Sequence, residues 1–85
     1  MKTFIYTYER KRNDINGNPK HWVTVYRLKR GAPVRLGREE CGYIGERPTV
    51  VYIAQKAGEI PKRYPVYTPI WELERDKIAV FHRLD

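Results

Sequence analysis

The eight residues 13–20, NDINGNPK, constrain the fold of this chain more than any other segment. Asn, Asp, Gly and Pro each favour turns, and they fill six of these eight positions. The segments on either side, TFIYTYERKR (3–12) and HWVTVYRLKR (21–30), are rich in the β-branched and aromatic residues typical of strands. Asn-Gly between two such runs is a strong hairpin signal. The sequence therefore predicts an N-terminal β-hairpin.

The register of this hairpin depends on the length of its loop. A three-residue loop over 15–17, with Gly17 in the left-handed conformation, would pair Tyr6 with Tyr26. It would gather the large apolar side chains on one face, namely Phe4, Tyr6, Tyr8, Trp22, Tyr26 and Leu28. A two-residue loop would place Tyr6 opposite Arg27 instead. We predict the first register because it separates apolar from polar side chains better.

The segment 48–58, PTVVYIAQKAG, predicts a helix of about three turns. Val50, Ile53, Ala54 and Ala57 follow the i, i+3, i+4, i+7 spacing of a helical face. Pro48 suits a first helical turn, and Gly58 suits the position after a helix end. The content of Thr, Val, Tyr and Ile would also allow a strand. We expect the helix to bury its apolar stripe on the sheet.

The other segments complete the predicted topology. The glycine-rich stretch 31–47 predicts a short strand between turns, over 34–36 or 39–44. Three prolines make 59–69 an extended connection. The segments 70–75 and 77–84 alternate apolar with polar residues and predict a closing hairpin with a turn near Asp76. The prediction is a single α+β domain over 1–85: a mostly antiparallel sheet with N-terminal and C-terminal hairpins, and one middle helix.

The positive charge is concentrated in the first part of the chain. The formal net charge is +7. Residues 1–38 contain ten Lys/Arg and two acidic residues, a net of +8, whereas residues 39–85 contain seven basic and eight acidic residues, a net of −1. Such segregation is typical of a surface that meets polyanions. Nine basic residues are the predicted phosphate contacts: Arg10, Lys11, Arg12, Lys20, Arg27, Lys29, Arg30, Arg35 and Arg38. Three aromatic residues are predicted to contact the partner: Trp22, Tyr64 and Tyr67.

The sequence argues against an enzyme. It contains no serine and one cysteine, Cys41, which nothing places near a histidine. The two histidines and Cys41 lack the paired spacing of zinc sites, so we expect neither a metal nor a cofactor. Neighbouring carboxylates at 39–40 and 72–74 are more typical of solvated strand faces than of acid–base pairs. A chain of this size also has difficulty enclosing a water-excluding pocket.

The sequence also argues against a membrane protein. Mean hydropathy is −0.72, and no run approaches the roughly 20 apolar residues that a transmembrane helix needs. The first 14 residues contain no apolar stretch long enough for a signal peptide, and a lone cysteine is typical of a reducing compartment. We therefore expect a cytoplasmic protein without a membrane partner.

Charge and aromatic content lead to the predicted function. We expect a small basic protein that binds nucleic acid, or a complex that handles nucleic acid, through its basic N-terminal hairpin. The alternative is a small viral or phage-type accessory protein that inhibits a host protein or defence complex by direct docking, because Arg, Tyr and Trp are also typical of protein interfaces. The sequence leaves open DNA or RNA, the protein partner and the oligomeric state.

Overall fold

The predicted N-terminal hairpin forms and lies at the centre of a four-stranded sheet. The computed structural model describes residues 1–42 and 44–84. Strands β1 (Lys2–Asn13) and β2 (Pro19–Lys29) pair antiparallel. Strand β3 (Ala32–Glu40) pairs antiparallel with β2, and β4 (Ala79–Leu84) pairs parallel with β1, giving the order β3-β2-β1-β4. With helices α1 (Glu46–Lys56) and α2 (Ile70–Arg75), the chain has the predicted α+β fold with a mostly antiparallel sheet.

The predicted register of the hairpin is wrong. Tyr6 pairs with Val25, not with Tyr26 or with Arg27. The predicted three-residue loop over 15–17 is nevertheless confirmed: the Asp14 N–H donates to the carbonyl of Asn18 (2.8 Å), Asn13 pairs with Pro19, and Gly17 has φ 81°. A bulge between residues 10 and 13 then shifts the pairing by one residue, so the pairs from Arg10 to Phe4 differ from the predicted ones. A shift of one residue reverses which side chains share a face of the sheet.

The predicted single aromatic face is consequently wrong. Phe4, Tyr6, Val23 and Val25 point toward the helices and are at most 8% exposed. The opposite face of the sheet, here called the open face, carries no helix. It contains eight residues of the two central strands between Thr3 and Leu28: Thr3, Ile5, Thr7, Glu9, Trp22, Thr24, Tyr26 and Leu28. The aromatic residues of β2 therefore lie on the side opposite Phe4 and Tyr6.

Strand β3 is longer than predicted. Arg30 (φ 53°) and Gly31 (φ 79°) form a two-residue turn that joins β2 to β3; positive φ at both positions is the requirement of the type I′ hairpin turn. The predicted strand 34–36 lies inside β3. The alternative, 39–44, includes Tyr43, which lies outside the described residues. Gly37 lies beneath α1, where a Cβ would meet Ile53 Cγ2 at 3.3 Å, so the missing side chain lets the helix pack closely.

The predicted middle helix is confirmed as α1. Val50, Ile53 and Ala54 are buried against the sheet. Ala57, the fourth residue of the predicted stripe, is exposed because the helix ends at Lys56. In the last turn of the helix, the buried side-chain amide of Gln55 donates hydrogen bonds to the carbonyls of Pro61 and Tyr64, which lie beyond the helix end. These bonds hold the proline-rich connection, which contains neither helix nor strand, against the helix.

The predicted C-terminal hairpin is wrong. Residues 70–75 form α2, whose Leu73 is fully buried, and they contribute no strand. Proline at position 69 favours a helix start immediately after it, and only one residue of this short segment needs to reach the core. The last strand pairs with β1 instead, where Phe81 stacks on Phe4 with ring centroids 4.9 Å apart.

Neither described helix can cross a membrane. The described part of the chain contains no helix of the length and apolar character that a transmembrane span requires. Helix α1, the longer of the two, has 11 residues.

The end of α2 generates a stability prediction. Lys77 adopts φ 56°, and its N–H donates to the carbonyl of Glu74 (3.0 Å) in a turn that ends the helix. An L-residue in this left-handed region costs about 1–2 kcal/mol, which glycine avoids. We expect Lys77→Gly to raise the free energy of unfolding by about 1 kcal/mol in urea denaturation. Lys77→Ala removes the same charge but retains the Cβ, and it should give no comparable gain. Equal effects of the two substitutions would contradict this account.

Candidate nucleic-acid interface

Basic side chains surround a tryptophan at one end of the open face. They form a depression of about 670 Å³ that opens to solvent. Six residues from β1, β2 and β3 line it, here called the basic depression: Lys11, Arg12, Lys20, Trp22, Arg35 and Arg38. Five of the six are cations and none is acidic, so the depression suits a polyanion with a flat apolar component.

Two irregularities in the sheet bring these cations together. Side chains along a regular strand alternate between faces, so residues 35 and 38 would point in opposite directions. The register shift in β3 places Arg35 opposite Tyr26 and Arg38 opposite Thr24, on the same side. In β1 the bulge between residues 10 and 13 breaks the alternation, and the adjacent Lys11 and Arg12 both line the depression. The bulges therefore concentrate charge at one end of the open face.

Trp22 lies in the depression half-exposed. The guanidinium carbon of Arg38 is 4.7 Å from the centroid of the indole ring. A cation over an aromatic face is attracted by the negative potential of the ring, and the planar guanidinium can also stack. The two groups thus form a flat pair of the kind on which nucleic-acid bases stack.

The cations of the depression differ in their partners. Lys11 pairs with Glu9 at 3.1 Å, and Lys20 pairs with Glu40 at 3.8 Å. Such exposed pairs contribute about 0–1 kcal/mol, so a phosphate can replace the carboxylate. The three arginines of the depression, Arg12, Arg35 and Arg38, form no ion pair with any described residue. Three guanidinium groups are therefore available for bidentate phosphate contacts.

The structure gathers five of the nine predicted phosphate contacts in the basic depression and separates the other four from it. Arg10 donates a hydrogen bond to the side chain of Asn13 (3.2 Å) near the hairpin tip. Arg27 pairs with Phe4 on the helix-facing side of the sheet and binds Glu59. Lys29 and Arg30 lie at the β2–β3 turn, at the opposite end of the sheet from Lys20 and Trp22.

The three predicted aromatic contacts also lie in different parts of the structure. Trp22 lies in the depression, but Tyr64 and Tyr67 lie on the connection that packs with the helices. Tyr64 is half-buried, and its hydroxyl donates a hydrogen bond to Asp76 (3.3 Å), whereas Tyr67 is 55% exposed. Tyr26 was not among the predicted contacts, yet it lies on the open face beside Arg35. The predicted pairing already placed it on the same face as Trp22, four residues away, and this was the available signal.

Reactive groups on the helix-facing side take part in packing. The ring of Tyr8 stacks on His21 with centroids 4.8 Å apart. Burial raises the pKa of the Tyr8 hydroxyl and of the Cys41 thiol, so both groups are neutral near pH 7. No group of three or more His, Cys, Asp or Glu side chains in residues 1–42 and 44–84 could hold a metal ion.

Comparison of the chain with protein-family models, with curated proteins and with solved structures finds no match. The function of the chain is therefore inferred from the geometry and charge of its described residues.

The ion pairs of Arg27 generate a pH prediction. Glu59 Oε1 accepts hydrogen bonds from Lys2 Nζ (2.9 Å) and from Arg27 Nη1 (2.6 Å), and its side chain is 12% exposed. The hydrogen bond from Lys2, with the positive charges of Lys2 and Arg27, holds the pKa of Glu59 below its ordinary value despite burial. A lowered carboxyl pKa stabilises the fold above the unfolded value of about 4.3, and this contribution is lost as the pH falls through the folded value.

We expect Glu59→Gln to lower the free energy of unfolding at pH 7 by about 1–3 kcal/mol, since two cations lose their charged partner. The difference from the native protein should shrink as the pH falls below about 4. Urea denaturation across this range measures it. Glu40→Gln, at an exposed pair, is the matched control and should change stability by about 0.5 kcal/mol or less. A difference between Glu59→Gln and the native protein that is constant with pH would contradict the assignment.

Proposed function

We propose that this protein is a non-enzymatic nucleic-acid-binding protein whose binding surface is the basic depression. The observation that carries the proposal is the set of five cations around a half-exposed indole, on a sheet face that no helix covers. Three of these cations are arginines without an ionic partner among the described residues. Lys and Arg neutralise phosphates and release counterions, which supplies affinity for any sequence.

The distribution of acidic residues supports the same surface. Several carboxylates of the second half of the chain are engaged on the helix-facing side of the sheet. Glu46 accepts hydrogen bonds from Tyr6 (2.7 Å) and Arg83 (3.1 Å), and Glu59 accepts them from Lys2 and Arg27. These two carboxylates therefore do not neutralise the cations that line the basic depression. A polyanion would approach from the open face of the sheet.

The proposed compartment is the cytoplasm. Cys41 is a free, half-buried thiol without a second cysteine to pair with in the sequence. A single unpaired thiol suits a reducing environment. Nucleic acid, or a complex that handles it, is the partner expected there.

A second candidate function is docking on a protein that handles nucleic acid, including inhibition of that protein. The observation that favours it is the exposure of three aromatic side chains among the helices and their connection: Tyr52 (41%), Tyr67 (55%) and Trp71 (61%). Tyrosine and tryptophan are enriched at the energetic centres of protein interfaces. In this case binding would depend weakly on salt and on the basic depression.

A charge-matched pair of variants tests the proposed function. The double variant Arg35→Ala/Arg38→Ala removes two cations from the depression. The control Lys62→Ala/Arg63→Ala removes two cations from the connection on the other side of the sheet. We expect the first to weaken binding to a labelled oligonucleotide at least tenfold near physiological salt, since each lost phosphate contact also loses its counterion release.

The salt dependence supplies a second readout. For a single strand, the slope of log affinity against log salt should become shallower by about 1.4 in the Arg35→Ala/Arg38→Ala variant, or about 0.7 per lost contact. The Lys62→Ala/Arg63→Ala variant should keep the native slope. Equal losses in the two double variants would indicate unspecific attraction by net charge and would contradict the assignment of the site. Absence of nucleic-acid binding by the native protein would leave the docking function.

A further inference from the structure

We infer that the basic depression takes a single-stranded nucleic acid, with bases stacked on Trp22 and Tyr26 and phosphates held by Arg35 and Arg38. This inference rests on the proposed function and names the class of ligand at the same site. The observations that favour a single strand are the order of the side chains across β2 and β3 and the width of the sheet, rather than the net charge.

Strand β2 presents two aromatic rings on the same face. Trp22 and Tyr26 are four residues apart, which corresponds to about 13 Å along a strand. Both are half-exposed. The residue between them on this face is Thr24, which is small and 7% exposed, and it pairs with Thr7 on β1. Solvent therefore reaches the two rings but hardly the threonine between them, so the rings are the parts of this strand face on which bases can stack.

Strand β3 places arginines beside this row of rings. Arg35 lies opposite Tyr26, and Arg38 lies opposite Thr24 with its guanidinium over Trp22. Neighbouring strands are about 4.8 Å apart. A strand of nucleic acid running along β3 would therefore place its phosphates at the guanidiniums and its bases over β2. Base stacking on exposed aromatic residues is largely independent of sequence, because every base offers a flat face.

The shape of this surface disfavours a duplex. Bases in a duplex are stacked on each other, and only their edges are accessible in the grooves. The major groove is about 12 Å wide and admits a helix or a two-stranded ribbon. Four strands at about 4.8 Å spacing, with helices behind them, are too wide to enter it. A single strand can lie on such a surface with its bases turned toward the rings.

Within residues 1–42 and 44–84, the hairpin tip is the narrow element that could enter a groove, because β1 and β2 extend beyond β3 there. The tip residues 13–19 contain no Lys or Arg. They carry Asp14 and a fully exposed Ile15. A negative charge at the tip opposes insertion between two phosphate backbones. The cations lie at the base of the tip, where they face the sheet.

Tryptophan fluorescence tests this inference directly. The chain contains two tryptophans, and Trp71 lies in α2. The variant Trp71→Phe leaves Trp22 as the sole indole. Titration with a single-stranded thymidine oligonucleotide of about 12 nucleotides should quench its emission, because a base stacks on the ring. A duplex hairpin at equal phosphate concentration should leave the emission unchanged. The reciprocal variant Trp22→Phe, which reports on Trp71 alone, should show no quenching with either ligand.

Affinities provide the second readout. Trp22→Leu retains apolar bulk without a π face, and it should weaken binding of the single strand about tenfold or more. Circular dichroism and thermal unfolding check that the variant is folded. Ile15→Ser is the control at the tip and should bind the single strand like the native protein. If Trp22→Leu fails to fold, the quenching measured on the Trp71→Phe protein decides the question, since that protein retains the native surface.

The outcomes separate the inference from the proposed function. Quenching by the single strand, together with preference over the duplex, supports both. Duplex binding that is equal or stronger, without quenching, would overturn the single-strand inference while the nucleic-acid function stands. Duplex binding that depends on Ile15 would assign the ligand to the tip and would also overturn it. Absence of binding to either oligonucleotide would overturn the proposed function itself.

Discussion

The pairing register of the first hairpin is the constraint on which the rest of the structure depends. Each residue of β1 and β2 faces either the helices or solvent, and a slip of one position would exchange the two sets. In the observed register the helix-facing side contains Phe4, Val23 and Val25, which are fully buried. The same choice leaves Trp22 and Tyr26 on the open face. The pairing register of β1 and β2 therefore determines both which side chains form the core and which lie at the candidate site.

Irregularities in the strands bring the cations of the basic depression together. A regular β3 would place Arg35 and Arg38 on opposite faces, and one of them would then meet α1. The observed bulge places both beside the aromatic row. Gly37, between them, lies under the helix and lets it pack closely. One short segment therefore serves the core on one side and the basic depression on the other. Bulges of this kind are known devices for redirecting side chains near functional sites.

Much of the fold was predictable from local sequence signals. The turn cluster around Asn16 and Gly17 indicated the first hairpin, and the spacing of Val50, Ile53 and Ala54 indicated α1. These signals are short-range, and each element satisfies its own propensity. The α+β class followed from them.

The wrong predictions concern features that no local sequence signal indicates. The loop over 15–17 formed as predicted, but the register of the strands depended on a bulge between residues 10 and 13, which composition does not reveal. The segment 70–75 alternates like a strand, yet it forms a helix whose Leu73 fills the core. The final strand found a partner about 75 residues earlier in the chain, in β1, and such long-range pairing leaves no local trace.

The candidate site was predicted as a set of charges but not as a surface. Segregation of Lys and Arg in residues 1–38 correctly pointed to the strands that line the depression. It could not distinguish Arg38, which lies over Trp22, from Arg27, which is paired with Glu59 on the other side. Both are basic strand residues, and the register places them on opposite faces of the sheet. Tyr26, which the predicted register placed on one face with Phe4 and Tyr6, lies on the open face.

The most direct test of the central claim is the change in ¹⁵N–¹H NMR spectra of the native protein on addition of a single-stranded oligonucleotide. The two indole N–H signals report on the two sides of the sheet. The account predicts that the Trp22 indole and the backbone amides of β2 and β3 shift, while the Trp71 indole and the amides of α1 remain in place. Shifts concentrated on Trp71 and the helices, with Trp22 unchanged, would contradict it.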